Sequence, residues 1–216
     1  MTNKSILVIL IMLIALFSGC VKRIDRPTKI DQTSYVPLQE GDVFLYSGLF
    51  SQMEITDRGD GLFTCTYYDS SGRAATWEDY AVRGGRVLWS RLAFNSPVVP
   101  AIDFEPPLPY APWSNIIGDT LLYSGSEVRS DSINTHLRIR VEYEIIGCDT
   151  VTVPAGTYPD CIGVKMVYTT MDDVEIELFG GEFVKWFAPD VGLVKYSTPW
   201  GDGELLEARI KKYGYL

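Results

Sequence analysis

The chain has 216 residues, 46% hydrophobic and 22% charged, with a net charge of −9. That length suits one domain, or two small ones, with a buried core, and the balance is globular. An acidic chain without a clustered Lys/Arg stripe excludes nucleic acid and electrostatic docking on anionic lipid as expected partners, while thirteen Tyr and 12% aromatics favour β structure.

Residues 1–19 read as a leader. "MTNKS" is short and positive, Ile6 to Phe17 form an apolar run of twelve, and Ser18 and Gly19 are small. About 20 apolar residues are needed to span a bilayer as a helix, so the run is a signal h-region rather than a permanent span. The end "LFSGC" resembles the lipobox of bacterial lipoproteins, with Phe17 where that motif usually has Leu. The resemblance implies cleavage before Cys20 and lipid attachment to it. Several acyl chains such as palmitate anchor stably, because each buried CH₂ contributes about 0.8 kcal/mol. It further implies the cell envelope, and the outer membrane where there are two, because Val21 rather than Asp follows the Cys. The plain alternative is an ordinary signal peptide with a chance cysteine. Residues 20–37 then form the lipidated Cys and a tether, since Val21 to Pro37 is polar, holds two prolines and shows no period.

Beyond the tether, alternation replaces helical periodicity. Residues 38–94 make a first β-meander unit with turns at "DRGDG", "DSSGR" and "RGG". Residues 95–113 hold six prolines and read as a crossing connection or an edge, because proline supplies no ladder N–H. Residues 114–216 make a second unit. "GDVFLYSG" (Gly41 to Gly48) and "GDTLLYSG" (Gly118 to Gly125) share six of eight letters, which points to internal duplication. Alternation places Leu45 and Leu122 inward and Tyr46 and Tyr123 on the other face. The expected fold is all-β, an antiparallel, strongly curved open sheet or half-barrel of two related meander units forming one domain, with little helix.

Three cysteines remain after Cys20. Cys148 and Cys161 flank a hairpin and fall on one face by parity, which permits a disulfide if register brings their Cα atoms within about 7 Å. Two unbridged strand cysteines are the alternative. Cys65 completes an odd count, and no C-x-x-C suggests a redox or zinc site.

At "VTVPAGTYPDCIGVK" and "WFAPDVGLVKY" the chain resembles a widespread group of uncharacterised secreted bacterial proteins and lipoproteins. Their motifs are a "PL..G..W.Y" opening, a "VTVPAGTF..C.KV" hairpin and a "WYAPGVGLVK" closing hairpin. Pro37, Leu38, Gly41 and Tyr46 match the opening, with Phe44 in place of Trp. Val153 to Tyr158 and Cys161 match the first hairpin, and Trp186 to Pro189 with Val191 to Lys195 match the second. The resemblance implies an antiparallel, open, barrel-like fold, reminiscent of lipoprotein-localisation carriers whose curved sheet holds acyl chains. It implies no activity. Pro154, Gly156, Pro189 and Gly192 have a local explanation, since they end strands and supply positive φ in turns.

Catalytic patterns are sparse. The one histidine, His136, lacks a G-x-S-x-G partner motif. Glu175 and Glu177 alternate with Val174, Ile176 and Leu178 as a solvated strand face, and Asp57 to Gly61 reads as a polar turn before it reads as a cation or adhesion site. Trp77, Trp89, Trp113, Trp186 and Trp200 serve core packing or the wall of a ligand groove. No cofactor, metal or catalytic residue is expected. The resulting expectation is a membrane-anchored envelope lipoprotein, a non-enzymatic binding module for a hydrophobic molecule or partner protein. A structural or assembly subunit is the alternative, and a hydrolase the third.

Overall fold

The computed structural model describes residues 30–96, 101–130, 135–171 and 181–211, with side chains throughout except at 125–137. One helical turn, α1 (Gln32–Tyr35), precedes twelve strands. These are β1 (Val43–Tyr46), β2 (Gln52–Gly59), β3 (Leu62–Tyr68), β4 (Ala74–Arg83), β5 (Arg86–Phe94) and β6 (Ala101–Pro109), then β7 (Thr120–Ser130), β8 (Thr135–Val153), β9 (Gly156–Thr170), β10 (Glu182–Ala188), β11 (Gly192–Thr198) and β12 (Gly201–Arg209). Each strand pairs antiparallel with the next, and β1 also meets β12. The chain is therefore the expected all-β antiparallel fold, drawn into a barrel shape with one open seam. β6 and β7 pair at three positions, Asp103 to Glu105 against Glu127 to Arg129, as few as β1 and β2. Past that point Pro106, Pro107 and Pro109 have no N–H to offer a neighbour. The proline-rich segment is thus itself a barrel strand bordering a gap.

Turn chemistry sets the register. Gly84 and Gly85, both at positive φ, join Arg83 to Arg86 in a two-residue hairpin whose twist suits the strands. Asp190 and Gly192 supply positive φ between β10 and β11.

The two look-alike octapeptides occupy equivalent places. Asp42 N–H donates to the Gln39 carbonyl at 3.2 Å, and Asp119 N–H to the Ile116 carbonyl at 3.0 Å. Gly41 and Gly118 take φ of 78° and 83° in these turns. Each glycine N–H then bonds across to the next strand, to Ile55 and Ile145 respectively, both at 2.8 Å. Ile55 and Ile145 return the bond to Asp42 and Asp119 at 3.1 and 2.9 Å. The same device opens β1 and β7, and six strands follow from each. The barrel thus runs as two sets of six strands, β1–β6 and β7–β12, with β6 inside the segment expected to be a connection or an edge.

Three expectations are corrected. Facing is the reverse of the expected sense in the first repeat: Phe44 and Tyr46 are buried inward while Leu45 is not, and Leu122 is 55% exposed. A large lumen takes the ring of Tyr46 more readily than Leu45 does. Next, Cys148 and Cys161 are not joined in a disulfide. Cys148 stands opposite Ile162, and Cys161 opposite Asp149. A bulge between the Val151–Tyr158 and Asp149–Cys161 pairs adds one residue on the β9 side and offsets the parity, so the two thiols take different faces. Last, the final residues of the presumed tether are folded. Gln32, Tyr35 and Val36 are buried, and Asp31 caps α1 by accepting from Thr33 N–H at 3.0 Å. Cys20 and the remaining tether lie outside the described residues.

Candidate functional site: an aromatic cavity with one mouth

The barrel has two unlike ends. At one end α1 acts as a plug. Gln32 Oε1 accepts from Val87 N–H at 3.0 Å, Ser34 carbonyl accepts from Asp190 N–H at 2.6 Å, and Tyr35 hydroxyl donates to the Asp160 carbonyl at 3.3 Å. Gln32 and Ser34 thereby tie the entering chain to the β4–β5 and β10–β11 turns, and Tyr35 ties it to β9. At the other end, beside the β1–β2 and β11–β12 connections, a cavity of about 110 Å³ opens.

The rim of this cavity carries Leu49, Phe50, Phe94 and Trp200, and its walls carry Trp89, Leu92, Tyr168 and Phe183. Ring contacts hold the walls in place: Trp89 against Phe104 at 4.6 Å, Tyr168 against Phe183 at 5.0 Å, and Phe183 against Trp200 at 5.3 Å. Each is tilted or edge-on, the geometry favoured by aromatic quadrupoles. Twelve strands enclose more lumen than side chains fill easily, which explains why so many inward positions are Tyr, Phe or Trp.

Two charges sit inside. Glu78 follows the inward parity of Thr76 and Tyr80 on β4, and its Oε2 accepts from Tyr67 hydroxyl at 2.6 Å and from Tyr80 hydroxyl. Burial pushes the Tyr67, Tyr80 and Tyr110 phenols well above their ordinary range, and the charge of Glu78 adds to the shift. Lys185 follows the inward parity of Phe183 and Phe187 on β10. Its Nζ lies 4.3 Å from the Tyr110 ring centre and 5.8 Å from that of Trp89, within reach of cation–π attraction. Burial pulls the Lys185 ammonium below the usual lysine range, and Glu78 partly opposes this. Trp89 is 7% exposed, and its Nε1–H has no acceptor among the described residues.

The expected sites distribute as follows. Trp89 and Trp200 do line the cavity. Trp186 instead lies over Gly147 and Gly163, and Trp113 packs edge-on to Tyr143 at 5.9 Å and donates to Asp119 Oδ2 at 3.2 Å. Cys65 is buried in the wall. Asp57 to Gly61 lie at the end of the β2–β3 hairpin, whose two turn residues are Asp60 and Gly61. Cys20, Glu175, Glu177 and the side chain of His136 lie outside the described residues. Sequence reasoning missed Glu78 and Lys185. The available signal was a charge at a period-two slot between aromatic neighbours, as in Phe183-x-Lys185-x-Phe187.

No family model matches the chain, and no curated protein matches it. Two solved structures are similar. One is a putative lipoprotein from Parabacteroides distasonis ATCC 8503, at 20% identity and a TM-score of 0.47, covering 85% of this chain and 100% of that one. The other is a putative exported protein with a YmcC-like fold from Bacteroides fragilis NCTC 9343, at 14% identity and a TM-score of 0.40, covering 80% of this chain and 97% of that one.

Proposed function

We propose that this protein is an exported, lipid-anchored envelope protein whose barrel holds a hydrophobic ligand without transforming it. The observation that carries the reading is the cavity itself, apolar and aromatic-walled, in a barrel whose other end is closed by α1. Pockets of this kind gain affinity from buried apolar area and orientation from a few polar groups. The cavity is of the order of an engineered apolar cavity of about 150 Å³ that admits benzene, so it takes one ring or a short stretch of acyl chain, with the remainder at the rim. The lipobox-like "LFSGC" supports anchoring through Cys20. The described chain reaches the barrel at its plugged end, through α1.

Two measurements test the reading. Cys20→Ala should move the protein from the membrane to the soluble fraction, or leave it held only by an uncleaved leader; unchanged lipid labelling contradicts anchoring. A photoreactive medium-chain alcohol, added to the full chain in phospholipid nanodiscs, should crosslink to cavity walls such as Leu92 and Phe183. Labelling confined to the outer surface contradicts the cavity reading. The assembly-subunit alternative keeps one supporting feature, the exposed apolar rim at Leu49, Met171 and Trp200. A ligand-protected rim, in the same labelling, favours the binding reading over it.

A further inference from the structure

The ligand class can be narrowed from the polar groups of the cavity, an inference that rests on the binding reading above. Lys185 presents an ammonium with three N–H donors. Among the described residues it has ring faces at 4.3 and 5.8 Å but no hydrogen-bond acceptor. Trp89 lines the same cavity and buries an indole N–H that also lacks an acceptor. A buried donor left without a partner is costly, and a buried charge more so. Glu78 supplies an opposing charge inside the lumen, but its Oε2 accepts from the Tyr67 and Tyr80 hydroxyls and no hydrogen bond joins it to Lys185 or Trp89 among the described residues. The cavity thus presents the Lys185 ammonium beneath an apolar rim, with the unpaired Trp89 indole N–H buried in its wall.

We propose that the cavity binds an amphiphilic carboxylate, such as a medium-chain alkanoate or an arylalkanoate, with the carboxylate bridging Lys185 Nζ and Trp89 Nε1 and the apolar part directed to Leu49 and Trp200. Two oxygens on one carbon can accept from two donors, each at about 2.8 Å. With the Glu78 carboxylate already inside the lumen, a monoanion adds one charge against the ammonium where a dianionic phosphate adds two. The apolar body then covers rim side chains that are about half exposed, Leu49 at 49% and Trp200 at 47%.

The test uses the full chain in nanodiscs and the photoreactive alcohol as probe, with straight-chain alkanoates and alkanols of equal length as competitors at neutral pH. The expected result is protection by the alkanoate at a concentration at least tenfold below that of the alkanol. Lys185→Met should remove this preference while the alcohol probe still labels the walls, Lys185→Arg should retain it, and Trp89→Phe should reduce it. Equal protection by alkanoate and alkanol in the unaltered protein overturns the proposal, and so does a preference that survives Lys185→Met. Either of those outcomes leaves the apolar cavity standing, because the probe still labels it. Failure of the probe to label the walls at all removes the binding reading and this proposal with it. Should Lys185→Met fold poorly, the alkanoate-to-alkanol ratio of the unaltered protein decides alone.

Discussion

Single residues in this barrel act through space as much as through chemistry. Gly147 and Gly163 pair across β8 and β9, and the Trp186 ring lies on both. A Cβ at Gly147 would come within 2.7 Å of Trp186 Cη2, and one at Gly163 within 3.0 Å. Gly147→Ala should therefore destabilise the fold by about 1–3 kcal/mol through overpacking. Trp186→Leu should relieve the clash, so denaturant melts of the double variant should show less than the summed losses. Additive losses would mean the ring and the glycines do not press on each other. Lys185 has the opposite character. Its ammonium is penalised by burial, which lowers its pKa in the folded state. That penalty is fully present below the folded pKa and disappears as pH rises towards the unfolded value near 10.5. Lys185→Met should then raise the melting temperature at neutral pH, with a gain that shrinks as alkaline pH is approached. A loss at neutral pH would show that Glu78 compensates the charge more than burial opposes it. A stabilising substitution inside a candidate site is the pattern expected where a group is kept for function.

At the scale of elements, α1 matters beyond its four residues. Val87 is fully buried, and its N–H is satisfied by the Gln32 side chain rather than by a ladder partner. Gln32→Ala leaves that donor buried and alone, which should cost about 1–3 kcal/mol in denaturant melts. A neutral result would mean water replaces the amide and the plug is loosely seated. This element also shows where the sequence was opaque. "DQTSY" is too short for periodicity, and only the tertiary contacts of Tyr35 and Gln32 make it part of the body. The hairpins were legible because Gly84, Gly85, Asp190 and Gly192 announce positive φ locally. The facing of β1 and the separation of Cys148 from Cys161 were not. Alternation fixes only which residues share a face, and one extra residue in β9 between Tyr158 and Cys161 reverses that assignment. Glu78 and Lys185 were obscured for a related reason, since a charge is read as solvent-facing until its flanking parity is known to be interior.

On the scale of the whole molecule, the repeated Gly-Asp turn starts β1 and β7, and six strands run from each into one barrel. The shared turn was legible in two octapeptides. The place of β6 as a strand was not, because its prolines read as a connection, nor was the pairing of β1 with β12, which joins residues far apart in the chain. The interior so formed is rich in phenols. Tyr67, Tyr80, Tyr110 and Tyr143 are all held well above the ordinary value of 10.0, chiefly by burial. Groups with raised folded pKa values contribute stability that is intact below the unfolded value and lost above it. The barrel should therefore unfold cooperatively as pH climbs past about 10, with tyrosinate absorbance and loss of circular dichroism rising together. Phenols that ionise near 10 while the sheet persists would contradict a dry interior.

The claim at the centre is that the lumen is a place for a ligand. Calorimetric titration of a medium-chain alkanoate into the full chain in nanodiscs, against the Leu92→Trp variant whose added ring fills the cavity, tests it most directly. The account predicts one saturable site with a negative heat-capacity change in the unaltered protein and its loss in a variant that still melts cooperatively. Equal binding by both proteins, or none by either, would contradict it.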